Sequence, residues 1–117
     1  EERTNVASVL YNRLNNPDAE TAGLLQVDAS IDYALRLEGK DRSEFSTELD
    51  SPYNTYIHAG LPVGPICNPS LASIRASLNP SQTDYYYYAL GTDGVHHFFR
   101  TYSEHLAFVN SDMYAPA

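Results

Sequence analysis

General acid–base chemistry needs a carboxylic acid kept protonated by burial, and the chain offers Asp28, Asp32, Glu38, Glu44, Glu48, Asp50 and Glu104 as candidates. Most of these stand in polar, solvated stretches. Asp28 sits between Val27 and Ala29 at a helix start, where capping is the ordinary use of an aspartate. Glu104 falls in the first turn of a helix, where the dipole favours the ionised form and suits an acceptor better than an acid. By sequence, none has the setting of a general acid.

Other chemistries fare worse. His96 and His97 are adjacent on a strand and point to opposite faces, so they cannot share a metal without a bulge. His97, Glu104 and His105 could meet across a hairpin and a helix, although packed and surface histidines account for them more simply. Cys67 is the only cysteine, with no partner at a readable spacing, and no Gly-x-Ser-x-Gly elbow is present. The only lysine, Lys40, lies in the solvated run Gly39-Lys40-Asp41-Arg42 and makes a poor Schiff-base residue. There is no Gly-rich phosphate loop and no zinc spacing, so no cofactor or metal is expected.

What remains is aromatic. The stretch from Ser51 to Pro69 holds four prolines, two glycines, two asparagines and two tyrosines, a composition that makes a shaped, rigid loop rather than a helix or linker. Tyrosine and asparagine on a rigid loop suit sugars: the ring covers a C–H face while hydroxyl and amide read hydroxyls. A loop whose tyrosines merely cap the core would look the same. The chain has ten tyrosines, four phenylalanines and no tryptophan, and packing explains several of the run Tyr85–Tyr88.

The 117 residues suit one domain, and 43% hydrophobic against 19% charged residues permits a core and argues against disorder. The net charge of −8 excludes nucleic acid and an anionic membrane surface as partners, since both need a basic footprint. No apolar run is long enough to cross a bilayer.

The elements that must position these residues follow from periodicity. Val6, Val9, Leu10 and Leu14 predict a helix over about 4–15, capped by Thr4 or Asn5 and stopped by Asn15-Asn16-Pro17-Asp18. A short extended piece, 24–27, leads to a second helix capped by Asp28 or Ser30, with Ile31, Ala34, Leu35 and Leu37 inward and Gly39 at its end. A third begins at Asn68-Pro69-Ser70, buries Leu71, Ile74, Ala76 and Leu78, and stops at Asn79-Pro80. Asp84–Leu90 and Val95–Phe99 form a hairpin around Thr92-Asp93-Gly94, with Tyr85 and Tyr87 on one face and Tyr86 and Tyr88 on the other. Tyr102–Asn110 closes the chain as a helix with Leu106 and Val109 inward. The order predicts an α+β fold: helices around a short antiparallel hairpin.

Taken in order, Val6–Leu14, Leu25-Gln26-Val27-Asp28, Ser51–Tyr56, Gly60–Pro69, and His97-Phe98-Phe99 followed by Thr101–His105 resemble the YceG-like family, which contains endolytic murein transglycosylases. The resemblance runs along nearly the whole chain, and the tract Tyr53–Pro69 is its most specific part. It implies a partial lysozyme-like transglycosylase domain, acting outside the bacterial cytoplasm in a parent anchored in the inner membrane. The implied substrate is nascent peptidoglycan, cut between N-acetylmuramic acid and N-acetylglucosamine to leave 1,6-anhydro ends. One glutamate serves as acid and then base, no water attacks, and no cofactor is needed. Cell-wall synthesis proteins are implied partners. Carried over residue by residue, Gln26, Asp28, Tyr53, Asn54, Tyr56 and Asn68 are the expected cleft residues, with His97 and Glu104 as weaker candidates that could instead tie the hairpin to the last helix.

The family's catalytic glutamate sits in an Ile-x-Glu-x-Glu-like segment, which would fall upstream of Glu1, with Glu1 and Glu2 a later acidic pair. Residues 1–117 are therefore expected to be the C-terminal portion of a catalytic domain, without its acid, LysM-like subdomain or anchor, and to be inactive alone. Ala29 replaces a usual proline, Val63 the second proline, Ser70 a glycine and Leu106 an asparagine, and the last of these puts any polar contact at its site in doubt. The competing reading is a glycan-binding or scaffold module of a wall-synthesis complex. A pyridoxal-phosphate lyase, a label the family has also carried, lacks both a suitable lysine and a phosphate cradle here.

Overall fold

The computed structural model describes residues 2–116, so Glu1 of the acidic pair lies outside the described residues. The fold is α+β, as the element order predicts. Helix α1 (Glu2–Asn15) and helix α2 (Asp28–Leu37) precede a 3-10 turn at Arg42–Glu44 and a long loop. Helix α3 (Leu71–Leu78), strands β1 (Tyr87–Leu90) and β2 (His96–Phe99) and helix α4 (Tyr102–Val109) complete the order. The strands pair antiparallel with Tyr87 opposite Phe99 and Leu90 opposite His96. On the other edge of β1 the chain end adds a short pairing: Gly91 bridges Tyr114, the Ala115 N–H donates to the Leu90 carbonyl at 2.9 Å, and the Thr92 N–H donates to the Met113 carbonyl at 2.7 Å.

The core is small. Val9, Ile31, Ala34 and Leu35 are almost completely shielded, joined by Leu25, Ala76, Tyr87 and Ala89. Burying side chains of the Val/Leu/Ile size contributes about 2 kcal/mol each, which is the main force holding the core together. Polar groups extend the grip. Asn12 donates its amide to the Thr83 and Tyr85 carbonyls at 3.0 and 2.9 Å, and Ser8 shares a hydrogen bond with Thr83 at 2.7 Å. Helix α1 thereby fixes the segment that leads into β1.

Helix ends follow local rules more closely than apolar faces do. Gly39 adopts a φ of 70°, donating to the Arg36 carbonyl while Lys40 donates to that of Leu35. This Schellman arrangement satisfies the last carbonyls of α2. Ser70 caps α3. Helix α1 already runs from Glu2, so neither Thr4 nor Asn5 caps it. Val27 occupies the cap position of α2 without a side-chain bond, and Asp28 and Ser30 lie inside the helix. Residues 24–27 form no strand.

Several expected inner residues are exposed. Leu37, Leu71, Ile74, Leu78 and Leu106 all face outward, and only Ala76 of α3 is buried. In α4 the contacts to the sheet come from His105 and Phe108, which meet Tyr87 and Phe99 at ring distances of 5.3 Å each. Strand alternation also fails before Tyr87. Tyr85 stacks on Phe98, the ring that Tyr88 meets as well, because Asn12 and Arg13 hold the carbonyls of Thr83, Tyr85 and Tyr86, and the ladder to β2 reaches back only as far as the Tyr86 N–H.

Candidate functional site

The site begins with Arg13. It lies in register with Val9 on the inward side of α1, so its guanidinium is driven into the core and only 6% of the residue stays exposed. Its Nε donates to the Tyr86 carbonyl at 2.7 Å, and one terminal nitrogen donates to the Leu24 carbonyl at 3.0 Å, the Leu25 carbonyl at 3.2 Å and Gln26 Oε1 at 3.2 Å. The guanidinium also lies 4.9 Å from the centre of the Tyr87 ring. Burial lowers its proton affinity, but a guanidinium remains charged, so these acceptors are what make its position tolerable.

Gln26 occupies a left-handed conformation with φ of 53°, uncommon for a residue with a side chain. Two anchors hold it there: Arg13 on its side chain, and the Thr55 carbonyl accepting from its backbone N–H at 3.2 Å. Thr55 is fully buried and pins the long loop to α2, since its hydroxyl accepts from the Val27 N–H at 2.9 Å and shares a hydrogen bond with Ser30 at 2.9 Å. With Oε1 engaged by Arg13, the Gln26 NH2 group is the part left to donate outward.

Asp28, first residue of α2, accepts from the Tyr56 hydroxyl at 2.6 Å. Burial and then the neighbouring carboxylate push the Tyr56 hydroxyl far above its ordinary range, so it remains a neutral donor at any physiological pH.

Gln26, Asp28 and Tyr56 line a groove of about 480 Å³ together with Arg13, Tyr87, Tyr88, Tyr102, His105 and Tyr114. Burial raises the Tyr88 hydroxyl and raises that of Tyr87 to about 12, so both are neutral. His105 is displaced downward, first by burial and then by the Arg13 charge, with the Tyr88 backbone acting in the opposite sense. Its Nδ1 is buried without a hydrogen-bond partner. The groove is therefore walled by aromatic faces and neutral polar groups. Its one cation, Arg13, spends Nε and one terminal nitrogen on backbone and amide oxygens, and its one carboxylate is held by Tyr56.

The other expected site residues lie elsewhere. Asn54 is completely buried, donating to the Thr47 and Leu49 carbonyls at 3.2 and 2.8 Å and accepting from the Tyr56 N–H at 2.9 Å. Tyr53 meets Tyr33 edge to face at 5.0 Å. Asn68 is exposed in the loop before α3. His97 pairs with Asp93 at 3.0 Å and packs against Phe108 at 4.7 Å, tying the hairpin to α4. Glu104 completes a capping box with Thr101, accepting from its backbone N–H at 3.2 Å. It does not meet His97, so the His97–Glu104–His105 cluster does not form. Among the described residues no group of His, Cys, Asp and Glu could hold a metal.

Arg13 and Tyr114 were not picked out by sequence reasoning. A charged residue four positions after Val9, in the middle of an apolar register, was the available signal for Arg13.

The profile of the YceG-like family matches residues 1–111. The chain belongs to the YceG-like family. It is 41% identical over 105 residues to an endolytic murein transglycosylase of Bacillus subtilis, an alignment covering 89% of this chain and 28% of that protein. It is 34% identical over 111 residues to an endolytic murein transglycosylase of Streptococcus pneumoniae, covering 90% and 19%. The crystal structure of a YceG-like protein from Listeria monocytogenes superposes with a TM-score of 0.75 at 40% identity, covering 92% of this chain and 34% of the other. The chain thus spans less than a third of the length of these two curated YceG-like relatives. No helix among the described residues is long and apolar enough to cross a membrane.

Proposed function

We propose that this chain is the glycan-holding part of an endolytic murein transglycosylase. The reaction is cleavage of the β-1,4 bond between N-acetylmuramic acid and N-acetylglucosamine within a strand, with the muramic C6 hydroxyl attacking to give a 1,6-anhydro end. In this reading residues 1–117 are the C-terminal portion of the catalytic domain, and the glutamate that protonates the bridging oxygen is contributed from outside residues 2–116. The parent works on the outer face of the bacterial membrane, alongside wall-synthesis proteins.

The observation that carries the reading is the groove: neutral donors and aromatic faces around Gln26, Asp28 and Tyr56. Rings of a sugar chain need such faces, and its hydroxyl and N-acetyl groups need such donors. Tyr53 and Asn68 would contact more distant parts of the strand, with Asn54 setting the loop that carries Tyr53 and Tyr56. Glu2, Asp18, Asp41 and Asp93 are displaced toward stronger acidity, the wrong direction for a proton donor near neutral pH. Glu104 is engaged in its cap.

The test is incubation of uncross-linked glycan strands with this chain and, in parallel, with the longer protein that contains it, read by mass spectrometry. Intact strands with the chain alone and anhydro-muramic ends with the longer protein are expected. Reducing ends would mean hydrolysis and overturn the transglycosylase. Intact strands in both, with binding retained, would favour a glycan-recognition module.

A further inference from the structure

The groove has a wall that the family match does not cover. The match ends at residue 111, while Tyr114 lines the groove beside Tyr88 and His105. Its place is set by backbone pairing rather than by chance packing of a tail. Gly91 bridges Tyr114, and the flanking bonds from Thr92 to Met113 and from Ala115 to Leu90 fix the register on the free edge of β1. Phe108 meets the Tyr114 ring edge to face at 6.4 Å, which sets its tilt.

Gly91 leaves room for a side-chain pair beside this edge. A Cβ at this position would lie 2.7 Å from His97 Nε2 and would also collide with Asp93 Oδ1. The His97–Asp93 pair therefore packs directly over Gly91, on the strand whose other edge receives Tyr114. Tyr88, Tyr102 and Tyr114 line the same groove, in which Arg13 is held through its Nε and one terminal nitrogen by backbone and amide oxygens. Asp28 and the chain's net charge of −8 disfavour an anionic ligand in it.

We propose that Tyr114 is a substrate-contacting, specificity-determining residue of this groove, its ring covering one face of an uncharged N-acetylated sugar in a β-1,4-linked chain. This rests on the reading of the groove as a glycan site. The preferred ligand is the peptide-free part of a strand, because a stem peptide brings carboxylates toward Asp28 on a chain of net charge −8.

The test is titration of this chain with N-acetylglucosamine hexamer, followed by calorimetry and NMR. Y114A is expected to weaken binding about tenfold and Y114F by about threefold, the scale of a lost stacking face and a lost hydroxyl bond. Intermolecular NOEs between the Tyr114 ring and the sugar are expected in the wild type, and they decide the matter even where Y114A does not fold. Wild-type binding without those NOEs at saturation overturns the proposal and leaves the groove reading intact. No hexamer binding by the wild type overturns both.

Discussion

Asn54 has the composition of a ligand-reading residue and the environment of a structural one. All three of its amide hydrogen bonds run to the loop backbone, and no part of it reaches solvent. The loop from Ser46 to Tyr56 has little regular structure to satisfy its own backbone, so one fully engaged amide substitutes for a ladder. Its last bond sets Tyr56, and Tyr56 holds Asp28. Replacing Asn54 with alanine is expected to cost about 2 kcal/mol, since the Thr47 and Leu49 carbonyls lose their donor. N54D should be no better at neutral pH, because a carboxylate there would face two carbonyl oxygens with nothing to donate. Urea unfolding of both variants checks this. Near wild-type stability with lost glycan binding would instead make Asn54 a direct contact.

At the level of elements, the end of α2, the start of α3 and the hairpin turn were legible in the sequence, while the N-caps of α1 and α2 and the helix faces were not. Gly39, Ser70 and the hairpin Thr92-Asp93-Gly94 do what their types dictate, because such effects are local. Leu71, Ile74 and Leu78 follow a helical period yet remain outside, because whether a period is buried depends on which neighbour covers it. The reverse error concerns Arg13, whose charge marks it as surface while its register places it inside. The groove was legible only in part: the tracts containing Gln26, Asp28 and Tyr56 stand out, but the chain passing from α1 to β1 and the returning tail are long-range contacts with no local signature. Helix α4 gives the element-scale prediction. Thr101 and Glu104 satisfy each other's backbone N–H groups, and the helix has only eight residues. T101A should cost about 1 kcal/mol and fray the first turn, which carries Tyr102 and abuts His105. A lower unfolding midpoint and faster amide exchange at residues 102–105 are expected. Unchanged exchange there would mean that packing of Phe108 alone holds the helix.

The molecule as a whole should lose stability toward acid in two stages with distinct origins. His105 is held below its ordinary value of 6.5 by burial and by Arg13. The groups facing it are Arg13 from α1, Tyr87 and Tyr88 from β1, Tyr102 from its own helix and Tyr114 from the tail, so no carboxylate compensates a proton there. The unfolded chain therefore binds this proton more readily than the folded one. The stability contributed by neutral His105 is complete above about pH 7.5 and declines as pH falls through 6.5 toward the lower folded value. Glu2, Asp18, Asp41 and Asp93 are displaced below ordinary values of 4.5 for glutamate and 3.8 for aspartate, so their contribution persists above that range and disappears as pH drops through it. The stages separate in thermal melts of wild type and H105Q across pH 8 to 3. H105Q loses the ring packing and should melt lower at pH 7.5, but it cannot titrate, so the gap to wild type should narrow as pH falls below 6.5 and level off once the folded ring is protonated too. A gap that is constant across this range would show that the buried ring takes up its proton as readily as a solvated one.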